Sequence, residues 1–253
     1  MKFSIIIPSF NQQAYIEKTL QNAIEIKNLA KTKNCEVEIL LFDSESNDEV
    51  QSIIRRYMPG LDYVEIKKDK GQYDAINKGI LKCSGDYWSW LNTDDLIDIN
   101  GFFKLVEVLR QDPEIDYIYG GVDYINEQGK VTKNYAAFDI KFKTLYSFSP
   151  GIFQPGSFFR KKFTDKIGLL KPYQCCFDYE YVLRFMKHGA KVQCCRFVVS
   201  NFRFYATSKT GSIIPVFIKE QLEISKIYGR KPYHFLSYFS HLRLLKHTLF
   251  PRK

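Results

Sequence analysis

The feature that most constrains this chain is a fourfold alternation of apolar strands and amphipathic helices within roughly its first 110 residues. "FSIIIPSFN" (3–11) is a β-branched run that breaks at Pro8 and Asn11, a strand entering a loop. Residues 12–29 read as a helix, with Ile16, Leu20, Ala23 and Ile24 at helical spacing. "VEILLFD" (37–43) is a second strand ending on Asp43, and "SESNDEVQSIIRRYM" (44–58) is a helix whose early Asp48 and Glu49 suit its positive end. "YVEIKK" (63–68) is a third strand. "GQYDAINKGILKC" (71–83) is a helix with Ala75, Ile76, Gly79 and Ile80 on one face, and "GDYWSWLN" (85–92) is a fourth strand. Strands joined by helices require crossover connections, so they form a parallel sheet with helices on both faces. Ligands of such sheets bind beyond the carboxyl ends of the strands. Ser9 and Asn11, Asp43, residues 69–72 and residues 92–95 therefore converge on one crevice.

After residue 110 the pattern changes. "IDYIYGGVDYINEQGKV" (115–131) reads as strands around the turn "NEQGK", and "FQPGSFFRKK" (153–162) as another strand. "CFDYEYVLRFMKHG" (176–189) is a helix, and "AKVQCCRFVVSNFRFY" (190–205) a long strand or hairpin. This part is mixed α+β and completes the same sheet. The whole is an α/β fold with a mainly parallel central sheet flanked by helices and a C-terminal amphipathic helical tail.

Four constellations carry candidate chemistry, each with a plainer alternative. Asn92-Thr93-Asp94-Asp95 places carboxylates at a strand end, where Asp94 and Asp95 suit a hard divalent cation or cap the following helix "LIDINGFFKLVEVLRQ". Asp43, with Ser44 and Ser46, either accepts hydrogen bonds from a base or ribose or caps the next helix. In "KDKGQYDAINKG" (68–79), Gly71 allows a turn, Lys68 or Lys70 approaches a phosphate, and Asp74 faces the crevice from the first helical turn; the alternative is an ordinary loop. Asp178 and Glu180 lie among aromatics, where a carboxyl with a raised pKa serves as a general base; Arg184, four residues after Glu180, offers a simple ion pair instead.

Other chemistries lack their motifs. There is no GxxxxGK[ST] loop, no GxGxxG after the first strand and no GxSxG elbow, and three of the four histidines lie in the last twenty residues. The six cysteines include two adjacent pairs, which lack the intervening loop of a zinc site and read as buried, reduced thiols. The first apolar run is cut by Pro8, too short for a signal h-region, and no run of about 18 apolar residues occurs. A cytoplasmic location is expected.

The motifs "IIIPSFN", "FDSESND", "GQYDAINKG", "WLNTDD" and "FDYEYVLRF" together resemble family 2 glycosyltransferases in order and rough spacing, over about residues 1–210. The resemblance is to the bacterial polysaccharide and cell-surface glycan type. It implies a GT-A fold, inverting transfer from a nucleotide-diphosphate sugar (UDP-, GDP- or dTDP-linked), and a divalent metal, Mn2+ or Mg2+. It places Pro8, Ser9 and Asn11 on the nucleotide side, with Asp43 at the base and Ser44, Gly71 and Asp74 nearby. Asn92 and Asp94 match the first and third places of the DxD-like motif, Asp95 assists with the metal, and Asp178 is the general base. The segment 154–162 lies beside the acceptor, a glycan or lipid-linked glycan. The implied organisation is a catalytic domain over 1–210, with a nucleotide-sugar half (1–95) and an acceptor half (96–210), followed by a segment 211–253. Three positions depart from the family pattern. The usual DDGS or DGGS turn is "DSES", Asn92 replaces the first DxD carboxylate, and Phe177 replaces the Glu before the base. A catalytically silent nucleotide-sugar- or partner-binding module is the alternative reading.

Charge divides the chain. The net +9 is the sum of −3 over residues 1–180 and +12 from Tyr181 onward. The last 23 residues carry five Lys/Arg, three His and no acid, with Phe235, Tyr238, Phe239, Leu242, Leu245 and Leu249 at helical spacing. That pattern describes a helix in the interface of an anionic membrane, on the inner face of the cytoplasmic membrane, or one docked on the domain. No RNA-binding motif accompanies the basic charge, so no nucleic-acid partner is expected.

Overall fold

The computed structural model describes residues 1–148, 154–205 and 214–231; the tail 232–253, with its apolar stripe, lies outside the described residues. Strands β1 (Lys2–Ser9), β2 (Glu36–Asp43), β3 (Tyr63–Ile66) and β4 (Tyr87–Trp90) are parallel, in the order β3-β2-β1-β4. Helices α1 (Ile16–Thr32), α2 (Asp48–Tyr57) and α3 (Gln72–Lys82) make the crossovers. Alternate side chains of β1 serve the two faces of the sheet. Phe3, Ile5 and Ile7 enter a core with Leu20, Ala23 and Ile54, while Ile6 enters the other with Ala75, Ile76 and Ile80.

The second half extends this sheet with both strand directions. After β5 (Leu96–Ile97) and α4 (Ile99–Gln111) come β6 (Tyr117–Ile125), its hairpin partner β7 (Val131–Tyr135) and α5 (Phe142–Phe148). Then follow β8 (Ser157–Arg160), α6 (Lys161–Ile167), α7 (Phe177–Lys187), β9 (Val192–Arg203) and α8 (Ile214–Ile227). β8 inserts antiparallel between β4 and β6, β9 runs parallel to β6, and β5 closes the edge antiparallel to β9.

Three local expectations are revised. The first helix begins at Ile16 rather than Gln12, because Gln12–Tyr15 form a turn in which the Ile16 amide bonds the Gln12 carbonyl at 3.0 Å. Leu96 and Ile97, expected in a helix, pair with Asn201 and Ser200 as strand. The helix after them is therefore capped by Asp98, whose carboxylate accepts from the Gly101 amide at 2.7 Å, and not by Asp94 or Asp95. α8, placed by the sequence reading in the segment that begins at 211, is bonded to the residues leading into α7 through Glu220 and to α7 itself through Tyr228.

α4 lies so close to β9 that a Cβ on Gly101 would sit 1.9 Å from the Val198 carbonyl oxygen. Backbone cannot yield as a flexible side chain does. Gly101→Ala is expected to destabilise the fold by about 3 kcal/mol, the upper range for overpacking, as read from the midpoint of urea unfolding.

Candidate functional site

The parallel register assembles the nucleotide side. Ser9 stands opposite Asp43 across β1 and β2, and its hydroxyl donates to Asp43 Oδ2 at 2.7 Å. Ser46 donates to both oxygens of the same carboxylate, through its amide at 2.8 Å and its hydroxyl at 2.6 Å. The Ser46 hydroxyl accepts from the Asn11 amide, and Asn11 Oδ1 accepts from the Asn47 amide. Ser44 ties in the third loop by accepting from the Asp69 amide at 3.0 Å. Asn11 and Glu45 both have left-handed backbone, with φ of 49° and 54°. Glu45 thus occupies, as a non-glycine, the position that glycine holds in the family's turn. Asp43 is only 1% exposed, so its first task is to knot two loops together, and solvent there meets Phe10, Asn11 and Glu45 instead. Pro8 is buried beneath them. Gly71 precedes α3 with φ of 123°, and Asp74, half-buried in the first turn, accepts from the Lys70 amide.

The turn after β4 separates the adjacent carboxylates Asp94 and Asp95. Asp95 is fully buried, and its oxygens accept from the Arg203 amide and the Asn92 side-chain amide, each at 3.0 Å. Burial, then the neighbouring Asp94, push its carboxyl well above the usual range, against the pull of these donors. Expected to assist a metal, Asp95 is instead enclosed as the anchor of the turn. Asp94 is half-buried, and its Oδ2 accepts from the Tyr205 hydroxyl at 3.0 Å. Asn92 in the DxD-like position now has a physical reason. Its amide donates to Asp95 while its carbonyl accepts from Gln72 at 2.6 Å, and a carboxylate there would face Asp95 with no donor.

Asp178 sits in the first turn of α7, half-buried. The Phe177 ring beside it lies 5.9 Å from that of Trp90, the last residue of β4, so the start of α7 stands at the same strand end as the Asn92–Asp95 turn. Burial raises the Asp178 carboxyl to about 6, although the Tyr179 amide bonds it at 2.6 Å. Glu180 is a different kind of acid: Lys171 and Arg184 each pair with it at 2.9 Å, and the Tyr228 hydroxyl donates to it at 2.7 Å. The ion-pair alternative holds for that residue. A cavity of about 400 Å³ lies beside this region, lined by Lys171, Pro172, Tyr173, Glu220 and Glu223.

Arg203, Tyr205 and Glu220 were not legible as site residues, whereas Gln154 opens the segment 154–162 that the resemblance places beside the acceptor. Arg203 is buried, donates to the carbonyls of Asp94, Asn126 and Glu127, and stacks over the Tyr15 ring at 4.7 Å. Gln154 donates to the Trp90 carbonyl. Arg203 gave no local signal, because the same strand also carries Gln193, Arg196, Ser200 and Asn201. Among the described residues no cluster of three or more His, Cys, Asp or Glu forms a metal cage. A cation held by one carboxylate and donor phosphates needs none.

Replacing Asn92 by Asp is expected to cost about 1–3 kcal/mol at pH 7, because a second carboxylate meets buried Asp95 and a donor is lost. The deficit should vanish below about pH 4, where protonation restores a donor, as read by thermal unfolding across pH.

The family Glycosyl transferase family 2 matches residues 4–177. An uncharacterized glycosyltransferase of Rickettsia conorii is 34% identical over 128 residues, which are 50% of this chain and 20% of that protein. Poly-beta-1,6-N-acetyl-D-glucosamine synthase of Staphylococcus aureus is 26% identical over 119 residues, 46% of this chain and 27% of the synthase. The chain thus spans about a fifth to a quarter of the length of these relatives. Among solved structures, S. aureus TarS 1-349 in complex with UDP-GlcNAc superposes with a TM-score of 0.69 at 15% identity, covering 99% of this chain and 73% of that one. The mannosyltransferase PcManGT of Pyrobaculum calidifontis, in complex with GDP-Man and Mn2+, gives 0.62 at 17% identity, covering 97% and 69%. The likeness to these structures establishes the GT-A fold, and the match over 4–177 establishes that the chain belongs to the family 2 glycosyltransferases.

Proposed function

We propose that the chain transfers a sugar from a nucleotide-diphosphate sugar to a hydroxyl acceptor by single displacement, with Asp178 as general base and Asp94 as the carboxylate that faces a divalent cation. The observation that carries this reading is the contrast between two half-buried carboxylates at one strand end. Asp94 lies in a polar turn beside Tyr205, and Asp178 lies against aromatic rings with its carboxyl raised to about 6. A group with that pKa is ionised in neutral solution yet basic enough to accept a proton during reaction. In the step, the acceptor O–H proton passes to Asp178 as the acceptor oxygen bonds the anomeric carbon. The bond from that carbon to the diphosphate breaks, and the nucleoside diphosphate departs with its electron pair. A divalent cation, Mn2+ or Mg2+, held by Asp94 with Asn92 nearby, would neutralise charge on that leaving group.

Pro8, Ser9, Asn11, Asp43, Ser44, Gly71 and Asp74 form the nucleotide side in this reading. UDP-, GDP- and dTDP-sugars are the donor classes to test, and the solved structures carrying UDP-GlcNAc and GDP-Man support the first two. A growing or lipid-linked glycan is the proposed acceptor, in keeping with the relative named as a polysaccharide synthase. The basic stripe of 231–253 is the proposed contact with an anionic membrane; no helix among the described residues is long and apolar enough to cross one.

Release of nucleoside diphosphate from the three donor classes in manganese tests the reading. Asp178→Asn should lower turnover by a factor of about 100 to 10,000 with donor affinity retained. Because protonation disables the base, kcat/KM of the parent should fall as pH drops through about 6. The same substitution removes a charge that burial penalises, so its melting temperature at pH 7.5 should equal or exceed the parent's. Collapse of donor affinity would make Asp178 a binding residue instead. Asp94→Ala should abolish manganese-dependent nucleotide binding by titration calorimetry, and unchanged affinity would remove its proposed role. Donor binding without turnover in the parent would favour a silent binding module.

A further inference from the structure

We propose that Glu220 is a positioning residue for Asp178, acting as a cap supplied to α7 from α8; this rests on the reading of Asp178 as general base. α7 starts without a side-chain cap of its own, since Cys176 at its N-cap position makes none. Glu220 provides one from 44 residues further along the chain. Its Oε1 accepts from the Gln174 amide at 2.6 Å, and its Oε2 from the amides of Cys175 at 2.8 Å and Cys176 at 3.0 Å. One carboxylate thereby satisfies the two amides leading into α7 and that of its N-cap residue Cys176, and it lies at the positive end of the helix. Asp178 follows two residues later, within the turn that these bonds orient.

The clamp is itself held in register. Tyr228, just beyond α8, donates to buried Glu180 of α7, and Glu180 pairs with Lys171 and Arg184. Ile218 and Ile224 of α8 are buried. The Cys176 thiol meets the Phe217 carbonyl at 3.5 Å. A displacement of α8 therefore carries residues 174–176 with it, and Asp178 after them. Small misplacements of a reacting group cost large factors in rate.

A cap that only stabilised α7 would leave the chemistry of Asp178 unchanged. Glu220 also places a negative charge near that carboxyl and raises its pKa. Among the described residues, the other titratable groups facing Asp178 are Tyr117 of β6 and Cys176, both held neutral by burial. Glu180 is neutralised by its own cations. Removing the charge of Glu220 should therefore let Asp178 ionise at lower pH.

The test compares Glu220→Gln, Glu220→Asp and Asp178→Asn in the full chain, reading nucleoside diphosphate release from the UDP-, GDP- and dTDP-sugar panel in manganese. For Glu220→Gln we expect kcat to fall by about 10- to 100-fold and donor Kd to stay within about twofold, with the acid limb of kcat/KM moved to lower pH. Parent-like kcat with an unmoved limb overturns the proposal. So does a loss of donor affinity that matches the loss of rate. If Glu220→Gln does not fold, Glu220→Asp keeps the charge one methylene back. It should hold the limb at the parent's pH while lowering kcat, and parent-like kcat there overturns the proposal equally. Asp178→Asn separates the two readings. Full turnover in that variant sinks the base assignment and the clamp with it, whereas an inactive Asp178→Asn beside a parent-like Glu220→Gln sinks the clamp alone.

Discussion

The burial of Asp95 is the constraint on which the crevice depends. A carboxylate with no exposure must be supplied with donors, and the chain draws one from the turn itself and one from a strand 108 residues further on. The Arg203 amide comes from the last strand and the Asn92 amide from the turn itself. Once Asp95 is fixed, its neighbours follow. Thr19 of α1 donates to the carbonyls of Thr93 and Asp95, at 2.9 and 3.0 Å, and the Arg203 guanidinium binds the Asp94 carbonyl. Gln72 holds Asn92 from the start of α3. The turn that presents Asp94 is therefore tied to α1, α3, β4 and β9 before any ligand arrives, which is the condition for a preorganised site.

A second constraint sets the environment of Asp178. Trp90 and Tyr117 stack on Phe159 with centroids 5.9 and 4.9 Å apart, and Trp88 stacks on the same ring at 5.0 Å. This slab exists because antiparallel β8 brings Phe159 between β4 and β6. Phe177 joins it at Trp90 and so sets the start of α7 against an apolar wall. A low-dielectric surface beside a carboxyl disfavours its charge. The residue is Phe177 where the family pattern has Glu, and the aromatic ring extends the wall instead of adding a second acid.

The two halves of the sheet divide the work between them. The parallel half places loops at strand ends and knots them through Asp43, Ser9 and Ser46. The mixed half supplies the arginine that braces the turn and the helix that carries Asp178. Adjacent Asp94 and Asp95 show how such an arrangement assigns tasks. The same residue type, one position apart, is buried and structural in one case and half-buried beside the crevice in the other.

The sequence by itself determined the alternation of strands and helices, because short apolar runs separated by helices of period 3.6 are the pattern of parallel strands joined by crossovers. It also placed Ser9, Asp43 and the Asn92–Asp95 turn at one end of the sheet, since parallel strands all point the same way. Only the tertiary structure decided which of two adjacent aspartates turns inward, because that depends on Arg203, 108 residues away. It alone made Leu96 and Ile97 a strand, since their partners lie on β9 and local propensity carries no record of them. The roles of Arg203 and Glu220 were hidden for the same reason. Each is one of several charged residues in its element, and its meaning comes from backbone groups of distant segments that only folding brings within hydrogen-bond reach.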